Sequence, residues 1–185
     1  MPDIAPVPQP PDAPEPWLRG PVPGVPALLM PAAHALLQVS EDVARAAAPL
    51  TATELWVTPG GAASVGFHLR HIAASTDRLL TYARGEPLTD AQHAALAAER
   101  EPGQPPAEAA PLIAAADRAV RGAIDVLRRT RTESLSEPRV VGRAQLPTTV
   151  LGLLFHIAEH AQRHAGQIVT TAKVVRDRAA RATAT

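Results

Sequence analysis

Histidine is the residue type in this chain whose number and spacing could support chemistry. There are seven histidines and no cysteine, so a metal site would have to use nitrogen and oxygen ligands. His160 and His164 are four residues apart, which on a helix separates them by about 40° in direction and one turn in height. Both imidazoles can therefore reach one ion. The same spacing also arises by chance, and many histidines on apolar helix faces are only hydrogen-bonded core residues.

A second histidine pair, His68 and His71, lies far upstream in another predicted helix. Two helices that turn imidazoles into an apolar interior leave several polar groups without water, and one metal ion satisfies several of them at once. His156 lies about 40° outside the apolar stripe of the last helix and is the weakest ligand candidate there. Helix geometry leaves the choice between His68 and His71 open, with a mild preference for His68, which is nearer the centre of its apolar stripe.

The elements that must position these histidines follow from helix breakers and apolar periodicity. Long helices are expected at about 26–48, 64–83, 107–129 and 147–177, and a short helix is expected at 89–100. Residues 51–61 and 131–146 are expected to be loops, and no segment shows the alternating pattern of a strand. Four long helices predict an all-α four-helix bundle, a fold whose core commonly holds inward-facing metal ligands.

Length and composition predict one folded domain with short tails. The chain has 185 residues, 46% of them hydrophobic, which is enough for one core. Eleven of its 20 prolines fall within residues 2–31, where they disfavour helix. The predicted organisation is a disordered or extended Pro-rich tail at 1–25, the bundle at 26–178 and a C-terminal tail at 179–185.

Charge and hydropathy argue against two classes of partner. The formal net charge is zero, and no basic stripe suited to a phosphate backbone is present, so nucleic acid is not expected as a partner. The longest apolar stretch, Val150 to Phe155, is too short to cross a bilayer, and the N-terminal region does not resemble a secretory signal. A cytoplasmic protein with no membrane partner is therefore expected.

The order and separation of the histidine motifs resemble the DinB-like superfamily. The matching motifs are Phe67-His68-Leu69-Arg70-His71, on the second long helix, and His160-x3-His164-Ala165-Gly166-Gln167, which begins 89 residues after His71. The resemblance implies that His71, His160 and His164 bind one divalent metal. His68 matches the first histidine of a His-x-x-His pattern found in ergothioneine-synthase relatives. Ala165 departs from the pattern, because many relatives carry arginine there.

Three neutral histidines on Zn²⁺ or Ni²⁺ leave the dipositive charge uncompensated and at least one coordination position open, which is typical of catalytic sites. The resemblance implies an enzyme acting on a small-molecule substrate, either a hydrolase or an S-transferase with a low-molecular-weight thiol such as bacillithiol or mycothiol as cosubstrate. It also implies a possible homodimer. A noncatalytic metal- or small-molecule-binding bundle is the first alternative, and a module that recruits a partner through its Pro-rich tail is the second.

Overall fold

A computed structural model describes residues 13–183 of the chain, and six α-helices and one β-hairpin lie within that range. The long helices are those expected to form the bundle. In chain order the elements are α1 Met30–Ala47, α2 Ala52–Leu55, α3 Val65–Ala83, α4 Asp90–Ala98, α5 Ala109–Arg129, β1 Pro138–Val141, β2 Leu146–Thr149 and α6 Val150–Thr183. The prediction of a four-helix bundle is confirmed.

The four long helices form a ring in which α6 packs against α1 and α3, and α5 packs against the same two helices. Each contributes an apolar stripe to one core, whose fully buried members include Leu36, Leu69, Leu127 and Ile157. Because α3 and α6 are direct neighbours, histidines on their facing sides can meet.

Local signals set both ends of α3 and the start of α4 as the sequence predicts. The Ser64 side chain accepts a hydrogen bond from the Phe67 amide and caps α3, and Thr89 forms a capping box with Gln92 at the start of α4. Helix α3 stops before Gly85, which adopts a positive φ of 77° that glycine tolerates without strain.

The hairpin corrects the expectation that residues 131–146 form a loop and that the chain has no strand. Strands β1 and β2 pair antiparallel, with Pro138 opposite Thr149 and Val141 opposite Leu146. Each strand has only four residues and none of them is buried, and neither Pro-Arg-Val-Val nor Leu-Pro-Thr-Thr alternates strictly between apolar and polar residues. Pro147, expected to open the last helix, lies in β2 instead, and α6 begins three residues later at Val150.

Both ends of the described chain are more ordered than the sequence suggests. Helix α6 continues beyond the predicted end near 177 to Thr183, so residues 179–183 are helical. At the other end, Val22 and Val25 are buried against the bundle, and Arg19 forms a two-point ion pair with Glu41 of α1. Residues 1–12 of the predicted tail lie outside the described residues. No helix in the described part has the length and hydropathy required to cross a membrane.

Candidate metal centre

The side chains of His71, His160 and His164 converge between α3 and α6. Each offers one ring nitrogen, and these three atoms lie within 4.8 Å of one another. The Nε2 atoms of His71 and His160 are 2.9 Å apart. All three histidines are half-buried, so the group is reachable from solvent. These are the three residues that the family resemblance implies as metal ligands.

His68 lies behind this group. It is only 2% exposed, and its Nδ1 is 2.9 Å from Nδ1 of His164. His68 is therefore a hydrogen-bonding partner of one member of the three-histidine group, whereas His71 is itself a member. Helix geometry alone could not distinguish these two positions, because both histidines face α6.

Glu99 is a site residue that sequence reasoning missed. It follows the last residue of α4, is 4% exposed, and places its Oε2 atom 2.7 Å from Nδ1 of His71. Its other oxygen, Oε1, accepts a hydrogen bond of 2.8 Å from Arg78. In sequence it belongs to the charged run Glu99-Arg100-Glu101, which has the appearance of a solvated helix end. The sequence around Glu99 therefore does not indicate that its side chain turns inward.

Arg70 holds the end of α4 against the site. Its guanidinium donates to the carbonyls of Ala98 (3.2 Å), Pro102 (3.4 Å) and Glu101. The Trp56 ring covers the other side of this guanidinium at 4.7 Å. The segment that carries Glu99 is therefore fixed by side-chain contacts with α3.

The electrostatic environment favours the neutral form of His68, His160 and His164. Burial lowers the pKa of His68 and His160 to about 4 and that of His164 to about 3, and the repulsion that a protonated His71 would exert adds to each shift. Arg100 also lowers the pKa of His68, and Arg163 contributes to the lowered pKa of His160 and His164. Neutral imidazole is the form that can bind a metal, and burial favours that form in His160 and His164.

His71 and His164 each have a hydrogen-bonding partner at Nδ1, so the Nε2 atom of each ring remains available for a ligand. His71 directs Nδ1 to a carboxylate, so the tautomer with hydrogen on Nδ1 and a free lone pair on Nε2 is favoured. His164 directs Nδ1 to His68, so Nε2 is the nitrogen it has left. A carboxylate or other acceptor behind a metal-binding imidazole is the usual way in which proteins orient such ligands.

The remaining candidates lie outside the group. His156 is exposed, pairs with Glu159 at 3.1 Å, and has its ring centre 5.4 Å from that of His160. Glu159 is exposed and also pairs with Arg163, as expected for a solvated charge. Gln167 is exposed on α6.

Comparison with known proteins gives one family and one informative fold. The sequence model described as DinB superfamily matches residues 35–168, a range that includes all the site histidines. YfiT from Bacillus subtilis, described as a probable metal-dependent hydrolase with an unusual four-helix bundle topology, has a similar structure with a TM-score of 0.61. The similarity covers 83% of this chain and 91% of YfiT at 14% sequence identity, so it shows a shared fold. No curated protein sequence matches the chain.

Proposed function

The chain belongs to the DinB superfamily, and we propose that it is a metal-dependent enzyme that acts on small molecules. In this proposal His71, His160 and His164 bind one divalent ion, with Zn²⁺ or Ni²⁺ as the expected metals. The observation that carries the proposal is the convergence of these three imidazoles within 4.8 Å.

The donor set fits such an ion. Nitrogens that share a tetrahedral zinc ion are about 3.3 Å apart, as follows from bond lengths of about 2.0–2.1 Å. The separation of 2.9 Å between Nε2 of His71 and Nε2 of His160 is close to that value. The lowered pKa values of His160 and His164 favour the neutral form that a metal requires.

Three protein ligands leave a coordination position for substrate. A bound divalent ion supplies Lewis acidity there and acidifies a water or thiol that occupies the open position. The chain's own contribution is orientation, because Glu99 fixes the ring of His71 and His68 fixes that of His164. Both oxygens of Glu99 are engaged, so it is a positioning residue and not a general base.

Hydrolysis is the reaction we favour, because YfiT, which has the same fold, is described as a probable metal-dependent hydrolase. Thiol S-transfer, with a cosubstrate of the bacillithiol or mycothiol type, is the second candidate, since an uncompensated dication also stabilises a thiolate. A homodimeric state and a cytoplasmic location stay predictions from the sequence.

Metal analysis of the purified protein is the first experiment. We expect one divalent ion per chain, and we expect the His160→Ala/His164→Ala double variant to lose it. His93→Ala is the matched control, because His93 is exposed on α4 outside the three-histidine group. Equal metal content in the double variant and the control would disprove the metal site.

Activity assays then separate the two reactions. The loaded protein is incubated with a panel of esters and amides without thiol, and with a panel of electrophiles plus a low-molecular-weight thiol. Turnover without thiol supports the hydrolase, and thiol consumption supports the transferase. A loaded protein that turns over neither panel would contradict the enzyme proposal and favour a noncatalytic binding bundle.

A further inference from the structure

Arg100, Phe67 and His71 form a chain of side-chain contacts beside the candidate metal centre. The guanidinium carbon of Arg100 lies 4.5 Å from the centre of the Phe67 ring. The Phe67 ring in turn stacks on the His71 imidazole, with centroids 5.3 Å apart and an interplanar angle of 22°. Phe67 thus contacts both a cationic side chain and a candidate metal ligand.

The charge of Arg100 is not neutralised by a carboxylate in the part of the chain that the structure describes. Glu99, its neighbour in sequence, turns inward and is engaged by His71 and Arg78. Arg163, which also lowers the pKa of His160 and His164, is different, because it forms an ion pair with Glu159. Arg100 is also exposed, so a ligand from solvent can reach it.

The position of Arg100 is fixed by its neighbours along the chain. Glu99 is anchored on one side, and the carbonyls of Ala98 and Glu101 accept hydrogen bonds from Arg70. The backbone therefore holds Arg100 beside the site even though its own side chain is exposed. A fixed starting point reduces the entropy that a guanidinium loses when it binds a ligand.

We propose that Arg100 determines substrate specificity by binding a carboxylate of the substrate while the reacting group of the same molecule occupies the three-histidine site. The guanidinium carbon of Arg100 lies over the Phe67 ring, and this contact does not use the N–H groups as hydrogen-bond donors, so they can bind a ligand. A planar carboxylate matches this row of donors with two parallel hydrogen bonds. The inference rests on the proposed function and narrows its substrate class to small organic anions.

Anion binding to the cobalt-loaded full-length protein tests the inference without an activity assay. The visible absorption of Co²⁺ reports occupation of the open coordination position by a carboxylate. The probes are acetate, the dicarboxylates succinate, glutarate and adipate, and their monomethyl esters, all at constant ionic strength. We expect at least one dicarboxylate to bind about tenfold more tightly than both acetate and its own monomethyl ester.

Variants assign that preference to a residue. Arg100→Gln should remove the dicarboxylate preference while acetate binding is unchanged, and Arg100→Lys should retain part of it because the charge remains. Arg45→Gln is the matched control, since Arg45 is an exposed arginine of α1 that pairs with Asp42. A preference that persists in Arg100→Gln would overturn the inference.

The outcomes separate this inference from the function on which it rests. If the protein takes up Co²⁺ and binds acetate but shows no preference for any dicarboxylate, the carboxylate site is wrong and the metal site stands. If the protein takes up no Co²⁺, both proposals are overturned. The comparison of each dicarboxylate with its monomethyl ester uses the unaltered chain, so even if a variant misfolds it decides whether a second carboxylate is bound, and the absence of a preference overturns the inference.

Discussion

Replacing Glu99 with glutamine tests the positioning of the metal site with minimal change in shape. Arg78 can only donate hydrogen bonds, so the single oxygen of the glutamine amide should remain with Arg78. The amide nitrogen then faces Nδ1 of His71 and requires that atom to accept. His71 would then carry its hydrogen on Nε2, and this hydrogen would block the nitrogen that is expected to bind the metal.

Two magnitudes follow from the contacts. Loss of a partner behind a metal ligand typically lowers metal affinity 10- to 100-fold, and because Glu99→Gln favours the wrong tautomer we expect a value near 100-fold, or about 2.7 kcal/mol. The metal-free protein should also lose about 3 kcal/mol of unfolding free energy. The reason is that Arg78, whose side chain is only 10% exposed, loses its counter-ion.

Metal affinity is measured by competition with a chromophoric chelator, and stability by urea unfolding of the metal-free protein. Glu101→Gln is the matched control, since its side chain is exposed two residues away and only its backbone carbonyl contacts Arg70. The control should bind metal like the unaltered protein. If Glu99→Gln also binds metal within threefold of the unaltered protein, Glu99 does not position His71 and the reasoning fails.

Three further predictions concern pH, packing and the histidine behind the site. The folded chain lowers the pKa of three histidines from 6.5 to between about 3 and 4, so the unfolded state binds more protons and metal-free stability is greatest above pH 6.5. As the pH falls from 6.5 to 5, urea unfolding should show a loss of unfolding free energy on the order of 1–2 kcal/mol per histidine. An unfolding free energy that does not change in this pH range would contradict the burial argument. A Cβ at Gly66 would lie 2.8 Å from the Trp56 ring, so Gly66→Ala should destabilise the fold by about 1–3 kcal/mol in thermal unfolding. Gly122→Ala on α5, where nothing lies within 4 Å, should be neutral or stabilising, and equal effects of the two changes would refute the packing argument. His68→Ala should weaken metal binding about tenfold in the chelator assay, by removing the partner of His164. His164→Ala should abolish binding, and an equal loss in the two variants would mean that His68 is a ligand.

The sequence predicted the long helices because burial of one apolar stripe per helix imposes a regular spacing. Leu153, Ile157 and Ile168 of α6 are buried as that spacing requires, and it also places His164 within the same stripe and His160 at its edge. The hairpin was missed because four-residue strands with no buried residue carry no periodic signal.

Glu99 was missed for a different reason. Its burial depends on two arginines of α3 that are distant in sequence: Arg70 holds the backbone around it, and Arg78 compensates its charge. Neither contact leaves a mark in the sequence around Glu99. Sequence periodicity reports which side of a helix faces the core, but it does not report which loop will fold over the end of that helix.

Helix packing and contacts from a connecting segment have different roles in the three-histidine site. Helices α3 and α6 supply the imidazoles, and their packing alone fixes the positions of the backbone. Glu99, which lies outside these two helices, orients the ring of His71. His68, which lies on α3 itself, orients the ring of His164. Trp56 packs over Arg70 and donates to the carbonyl of Ala107 at 3.0 Å, so the connection between α4 and α5 is held at two points. A segment without regular structure can therefore place a buried carboxylate accurately, because side chains of the rigid bundle determine its course.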